Sequence, residues 1–234
     1  MKHHSRYLIQ TASVRPRAQL PAATGAVATL GIIGGGQLAR MTAMSALTLG
    51  CDVVVLERNP ASPAATLATH ALVGDWDDPA VLGRLASHVD VVTLENEFVD
   101  PQALEALERT GCMVWPRART VALVQDKCVQ KETLREAGIP VVPFRQVATV
   151  DDVHAAADEF GVPLVLKARR DAYDGRGNRT IRSRADVNEA WRALRDAGPR
   201  ALYVEGWCEF TMELATIVTR GRDGAMVTYP VVER

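Results

Sequence analysis

Leu164-Val165-Leu166-Lys167 is an apolar run that ends in a lysine, and two more cations, Arg169 and Arg170, follow directly. A loop bearing Asp171, Gly175 and Gly177 comes next, and Arg179-Thr180-Ile181-Arg182 reads as a return strand. A lysine at the mouth of a buried strand, facing a glycine-bearing loop, suits a polyphosphate. The ammonium supplies charge, and the glycines let backbone N–H groups approach the oxygens. An exposed basic hairpin has the same composition, so this stretch alone leaves both readings open. A second candidate lies upstream. Gly34-x-Gly36-x-x-Ala39 fits a dinucleotide fingerprint, and Glu57 falls 21 residues after Gly36, near where a ribose-binding acid would sit. The same small residues also serve a tight turn that needs them only for packing. Third, Glu95 and Glu97 follow the strand Val89–Leu94, at the carboxyl end where open α/β sheets hold ligands. A polar loop over the sheet edge is the alternative.

These residues need elements to position them. Thr29–Ile33 reads as a buried strand, the glycine turn opens a helix to about Leu49, and Asp52–Glu57 is the next strand. That is a βαβ unit with a right-handed crossover expected. A short strand at Ala71–Val73, a helix started by Asp77-Asp78-Pro79, a helix over Pro101–Arg109 and a strand at Cys112–Trp115 complete an α/β domain near residue 118. Arg119 to Ala137 reads as one helix containing Lys127, stopped by Gly138-Ile139-Pro140. A strand over Val141–Val147 and a helix capped by Asp151-Asp152 lead to the Lys167 strand. Beyond the loop, Asp186 is expected to cap a helix to about Arg195, and Ala201–Glu205 reads as an apolar strand with an acid at its end. Glu213–Thr219 and Ala225–Val232 read as strands of a hairpin turning at Gly221-Arg222-Asp223-Gly224.

Composition narrows the function classes. Lys plus Arg number 27 and Asp plus Glu 28, so no global basic field points to nucleic acid. A hydrophobic fraction of 47% supplies a core, and no apolar run is long enough for a membrane span. The cysteines at 51, 112, 128 and 208 stand far apart, and the five histidines lack ligand spacing. Residues 1–51 hold no Asp or Glu, while residues 1–28 carry Lys2, Arg6, Arg15 and Arg17. That leader reads either as an organelle transit segment or as an untargeted tail, giving a plastid or mitochondrial location in the first case and a cytoplasmic one in the second.

Taken in order, several motifs resemble one family. Gly31-Ile-Ile-Gly-Gly-Gly-Gln-Leu-Ala-Arg-Met41, Gln125-Asp126-Lys127 with Gln130-Lys131, and Lys167-x-Arg169-x-x-x-Tyr173-Asp-Gly-Arg-Gly-Asn178 look like signatures of the N5-carboxyaminoimidazole ribonucleotide synthetases. Glu205-x-Trp207-x-x-Phe210-x-x-Glu213 and Tyr229-Pro230-x-Val232-Glu233 resemble the next signatures of that family. Ala172-Tyr173, Gly177-Asn178 and Trp207 look most like the fungal and plant form, the N-terminal part of a phosphoribosylaminoimidazole carboxylase fused to a mutase-type domain.

The resemblance implies a Rossmann-like pre-ATP-grasp domain over residues 29–118 and the first part of an α+β ATP-grasp domain over 119–234. It implies ATP and Mg2+ as cofactors, with 5-aminoimidazole ribonucleotide and bicarbonate as substrates. Lys127 and Lys167 would hold ATP phosphates beside Gly175, Gly177 and Asn178. Glu205, Gly206, Trp207 and Cys208 would run alongside adenine, and Glu213 would hold the ribose. Tyr173, Asp174 and Arg176 would act where bicarbonate and the aminoimidazole meet the γ-phosphate. Gln37, Glu95 and Glu97 would line the substrate side, and Glu57 then has no ribose role. The complete protein would be a homodimer, with its metal ligands in a C-terminal part beyond Glu233, which makes this chain a fragment. Two other readings stay in play: a non-catalytic nucleotide-binding module and an NAD-dependent oxidoreductase. The chain departs from the family in placing Asp171-Ala172 where bacterial members have Gly-Gly, and Asn96 at a normally apolar place.

Overall fold

The computed structural model describes residues 27–172, 177–221 and 223–233. The chain divides between Arg119 and Thr120 into two compact units. The first carries β1 (Thr29–Ile33), α1 (Gln37–Thr48), β2 (Asp52–Glu57), β3 (His70–Val73), α2 (Pro79–Ala86), β4 (Val91–Leu94), α3 (Pro101–Arg109) and β5 (Met113–Val114). Its five strands form one parallel sheet in the order β3-β2-β1-β4-β5. β2 is a continuous apolar run, Val53 to Leu56, buried along its whole length. That is the pattern of a parallel strand covered on both faces. α1 packs on the sheet through Ala39, Ala43 and Ala46, whose small side chains let the helix approach closely. Asp78 and Asp100 cap α2 and α3 by accepting from Ala80 N–H and Gln102 N–H, each with proline in the first turn.

The second unit holds α5 (Lys127–Glu136), β6 (Phe144–Val147), α6 (Val150–Phe160), β7 (Leu164–Ala168), β8 (Asn178–Ile181), a 3₁₀ turn at Arg184–Asp186, α7 (Val187–Arg195) and β9 (Leu202–Gly206). α4 (Ala118–Gln125) runs across the division. The four strands form an antiparallel sheet in the order β6-β9-β7-β8. Alternation sets its two faces. Leu164, Leu166, Leu202 and Val204 point into a core closed by α6 and α7, while Lys167, Tyr203 and Glu205 stand on the opposite face. The parallel sheet followed by an antiparallel one matches the expected fold class.

Several expected elements are corrected. The long helix from Arg119 to Ala137 is two helices, broken at Asp126, whose extended backbone and side chain cap α5. α6 starts from a capping box between Thr149 and Asp152, with Thr149 rather than Asp151 as the cap. Asp186 reaches back to Ser183 in the 3₁₀ turn and does not cap α7. The strand expected over Val141–Val147 begins only at Phe144, and that over Cys112–Trp115 is reduced to Met113–Val114. The two long C-terminal strands are four short ones. β11 (Val218–Arg220) pairs with β12 (Met226–Thr228), and β10 (Leu214–Ala215) pairs with β13 (Val232–Glu233). Between the pairs the register shifts by one residue, from Val218 opposite Thr228 to Ala215 opposite Val232, and the extra residue on the second side bulges and interrupts the ladder. In the turn expected at residues 221–224, Arg222 lies outside the described residues.

Every described residue from Trp207 to Glu233 is exposed. Truncating the core of the four-stranded sheet should therefore cost far more than truncating these ribbons. Leu166→Ala is expected to lower stability by about 3 kcal/mol, and Leu214→Ala by less than about 0.5 kcal/mol. Urea unfolding of both variants measures the difference.

Candidate functional site

β7 carries Lys167 near its carboxyl end, and antiparallel pairing with β9 sets Tyr203 opposite it and Glu205 opposite Val165. Glu205 is 9% exposed. Its Oε2 accepts from Lys167 Nζ at 3.1 Å. Its Oε1 accepts from the Tyr203 hydroxyl at 2.8 Å and pairs with Lys131 Nζ at 3.1 Å. Burial pushes the Glu205 carboxyl up, but Lys167, the Tyr203 hydroxyl and Lys131 outweigh it and hold the carboxyl below its ordinary value. Burial, aided by that carboxylate, drives the Tyr203 hydroxyl well above its ordinary range. Tyr203 therefore stays a neutral donor.

Asp126 is the second anchor. It is 4% exposed and accepts at Oδ1 from Cys128 N–H and Val129 N–H. Arg169 grips it in a fork, Nε to Oδ1 at 3.0 Å and Nη2 to Oδ2 at 2.7 Å, and Arg170 Nε adds a contact at 3.3 Å. The backbone repeats the tie, with Lys127 N–H donating to the Arg169 carbonyl at 2.8 Å. Burial opposes ionisation of Asp126, yet Arg169, the Val129 N–H and Arg170 hold its carboxyl below the ordinary value. The start of α5, with Lys127, is thus fixed to the residues leaving β7. Lys127 is half-buried, and its ammonium donates to the Val124 carbonyl at 3.3 Å.

The loop closes where Ala168 N–H donates to the Gly177 carbonyl at 2.7 Å. Gly177 has φ 91°, and a Cβ there would meet the Ala172 Cβ at 2.7 Å, so both conformation and space require glycine. Tyr173, Asp174, Gly175 and Arg176 lie outside the described residues. Asn178 opens β8 opposite Lys167. Gly206 ends β9 buried, its N–H donating to the Pro143 carbonyl, while Trp207, Cys208 and Glu213 are exposed.

In the first unit the glycine turn is already occupied. Glu95, just past β4, accepts from Gly36 N–H at 2.7 Å and from Ala39 N–H at 3.4 Å. Gly36 offers no side chain of its own, so Glu95 caps α1 from a neighbouring strand. Glu57 accepts from Gly35 N–H at 2.7 Å. A side chain at Gly36 would overlap the Glu95 carboxylate. A dinucleotide diphosphate would need the donors that Glu95 holds, and Glu57 points at the turn as a buttress. Gln37, the first residue of α1, is exposed, and Glu97 is partly buried.

A family model described as the ribonucleotide synthetase preATP-grasp domain matches residues 27–125, and one described as the ATP-grasp domain matches residues 132–234. A phosphoribosylaminoimidazole carboxylase of Vigna aconitifolia, named chloroplastic, is 40% identical over 87% of this chain and 36% of its own length. An N5-carboxyaminoimidazole ribonucleotide synthase of Synechococcus elongatus is 38% identical over 90% of this chain and 53% of its own. The chain is thus similar, over nearly nine-tenths of its length, to N5-carboxyaminoimidazole ribonucleotide synthetases, and its two parts match a preATP-grasp and an ATP-grasp domain. A solved synthase of Aspergillus clavatus, in complex with ADP and 5-aminoimidazole ribonucleotide, matches with a TM-score of 0.80 and 36% identity. That match covers 88% of this chain and 53% of the solved one. The chain thus spans between 36% and 53% of the length of these three relatives.

Against the family pattern, the structure brings Lys167 and Glu205 into direct contact and ties Lys127 to the same strand end. Lys131, Tyr203 and Arg169 join them, although their sequence positions carried no assigned role. Lys131 belongs to the Gln130-Lys131 motif, and Tyr203 sits two residues before Glu205, hence on the same face. Among the described residues, no three His, Cys, Asp or Glu side chains converge as a metal site. Glu205 and Asp126 are committed to cations, so the described residues do not fit a Mg2+ site, and no step is assigned to the ion. Among the described residues no helix is long and apolar enough to cross a membrane.

Both anchor carboxyls titrate lower in the folded chain than their ordinary values, 3.8 for aspartate. Their ionised forms stabilise the fold above that value, and the contribution is lost as pH falls through the depressed folded values. Urea midpoints should hold near neutral pH and drop in the acid limb. Asp126→Asn should lower stability at neutral pH by about 2 kcal/mol and flatten that limb.

Proposed function

We propose that this chain forms the ATP-handling and substrate-handling part of an enzyme that carboxylates 5-aminoimidazole ribonucleotide with bicarbonate, giving N5-carboxyaminoimidazole ribonucleotide. The observation that carries the reading is Lys167. Its ammonium stands at the mouth of β7, beside a loop closed at Gly177, with Lys127 fixed to the same strand end. Two cations and a glycine-bearing loop are what a transferring phosphoryl group requires, since phosphoryl transfer is mostly positioning and charge stabilisation.

The substrates dictate the chemistry. A bicarbonate oxygen attacks the γ-phosphorus and ADP leaves, giving carboxyphosphate. The exocyclic amine of the aminoimidazole then takes the carboxyl group, and phosphate departs. Lys127 and Lys167 offset charge on the phosphates throughout. Tyr173, Asp174 and Arg176 are assigned to bicarbonate and the aminoimidazole, Gln37, Glu95 and Glu97 to the ribonucleotide, and Glu213 to the ATP ribose. Glu205 and Gly206, at the end of β9, and Trp207 and Cys208, directly after it, are assigned to adenine. A homodimer and a mutase-type domain acting on the product belong to the same reading, and the acid-poor residues 1–28 accord with import into an organelle.

Calorimetric titration tests it. The chain should bind MgATP saturably, and Lys167→Ala should weaken binding at least about tenfold, the loss of one charge-assisted phosphate contact. NAD should give no heat. Binding of NAD without ATP would overturn the reading. On the fragment reading this chain by itself should form little or no ADP even with bicarbonate and aminoimidazole ribonucleotide, and robust ADP formation by it would overturn that reading.

A further inference from the structure

Glu205 holds three donors on two oxygens, and the three are not equivalent. Among the described residues, Oε2 is held by Lys167 alone, whereas Oε1 takes both the Tyr203 hydroxyl and Lys131. Lys167 is the more exposed of the two lysines, with 32% of its side chain accessible against 18% for Lys131. Lys131 rises from the second turn of α5, and its ammonium also lies 5.9 Å from the Phe144 ring centroid. Lys167 likewise lies 6.0 Å from the Tyr203 ring centroid, so the two differ in exposure: Lys131 is the more enclosed cation, and Lys167 stands at the mouth of the strand.

A buried carboxylate stripped of its only cation is costly, more so than the pair itself is favourable. If Lys167 were the sole partner of Glu205, it could not turn to a phosphate without stranding that charge. With Lys131 and Tyr203 on Oε1, Glu205 keeps one full counter-charge and one neutral hydrogen bond after Lys167 leaves. We propose that Lys131 is the standing counter-ion of Glu205, a positioning residue that frees the Lys167 ammonium to engage the phosphates of ATP. Lys131 acts through Glu205 and does not itself touch the nucleotide. The proposal rests on the reading of Lys167 as a phosphate ligand.

A double-mutant cycle on the full chain, read by MgATP titration, tests it. Lys131→Met should weaken ATP about tenfold, because Lys167 is then held by an otherwise uncompensated carboxylate. Lys131→Arg, which keeps the charge, should stay within about threefold of the parent. In a Glu205→Gln background the carboxylate is gone, so adding Lys131→Met should change affinity by less than about twofold. This last comparison stands even if Lys131→Met alone folds poorly, since the double variant buries no unpaired charge. Thermal melts accompany each titration. An unchanged affinity in Lys131→Met overturns the proposal. So does a double variant much weaker than Glu205→Gln, which would place Lys131 on the phosphates directly. In both cases Lys167 keeps its role. A parent chain that fails to bind MgATP instead removes the reading of Lys167 on which the proposal stands.

Discussion

The second unit depends on two buried carboxylates that attract more donors than one ion pair needs. Asp126 collects two backbone N–H groups, the Arg169 fork and Arg170. Glu205 collects two ammonium groups and a phenol. Burying an ion is expensive unless its charge is paired and hydrogen-bonded, and both sites meet that condition. The outcome is geometric as much as energetic. Asp126 breaks the helix so that α5 starts beside the end of β7, and Glu205 draws Lys131 of α5 and Lys167 of β7 onto one carboxylate. The face of the sheet turned away from the apolar core is thus organised by charge.

The first unit uses the same chemistry to another end. Its glycine turn has the spacing of a dinucleotide cradle, and helix N-termini do favour anions. Here the anion is internal. Glu95 and Glu57 take the N–H groups that a diphosphate would need, and the glycines are there because the carboxylates come so close. A fingerprint records the need for small residues and exposed N–H groups. It does not record who uses them, so the sequence pattern could not separate a ligand from a neighbouring strand.

That distinction divides what could be read in advance from what could not. β2, α2 and α3 were readable because apolar runs, Asp-Pro starts and helical periodicity are local signals. The break at Asp126 was not, because the capping residue sits inside an apolar pattern that continues on both sides. Its decisive partner, Arg169, is far along the chain. Lys167 and Glu205 could each be singled out from their place at strand ends, but their contact depends on the β7–β9 register. Lys131 was visible as part of a motif and still carried no role, since a lysine on a helix is ordinarily a solvated charge. The C-terminal strands are short for a smaller reason: one extra residue on one side shifts the register and splits the ladder.

Asp171 shows how a departure from the family pattern can leave geometry intact. It holds φ 54°, in the left-handed region that favours glycine, and among non-glycine residues aspartate is one of the few that adopts it readily. The substitution carries a backbone cost of roughly 1 kcal/mol. The added charge is the larger concern beside a phosphate site, yet Asp171 is exposed, where water and salt screen a carboxylate strongly. Arg169 and Arg170, immediately before it, add two positive charges, only partly committed to Asp126, since its single carboxylate cannot neutralise both. Arg169 and Arg170 therefore balance Asp126 and Asp171, and the left-handed turn is reached here by a residue that tolerates its backbone.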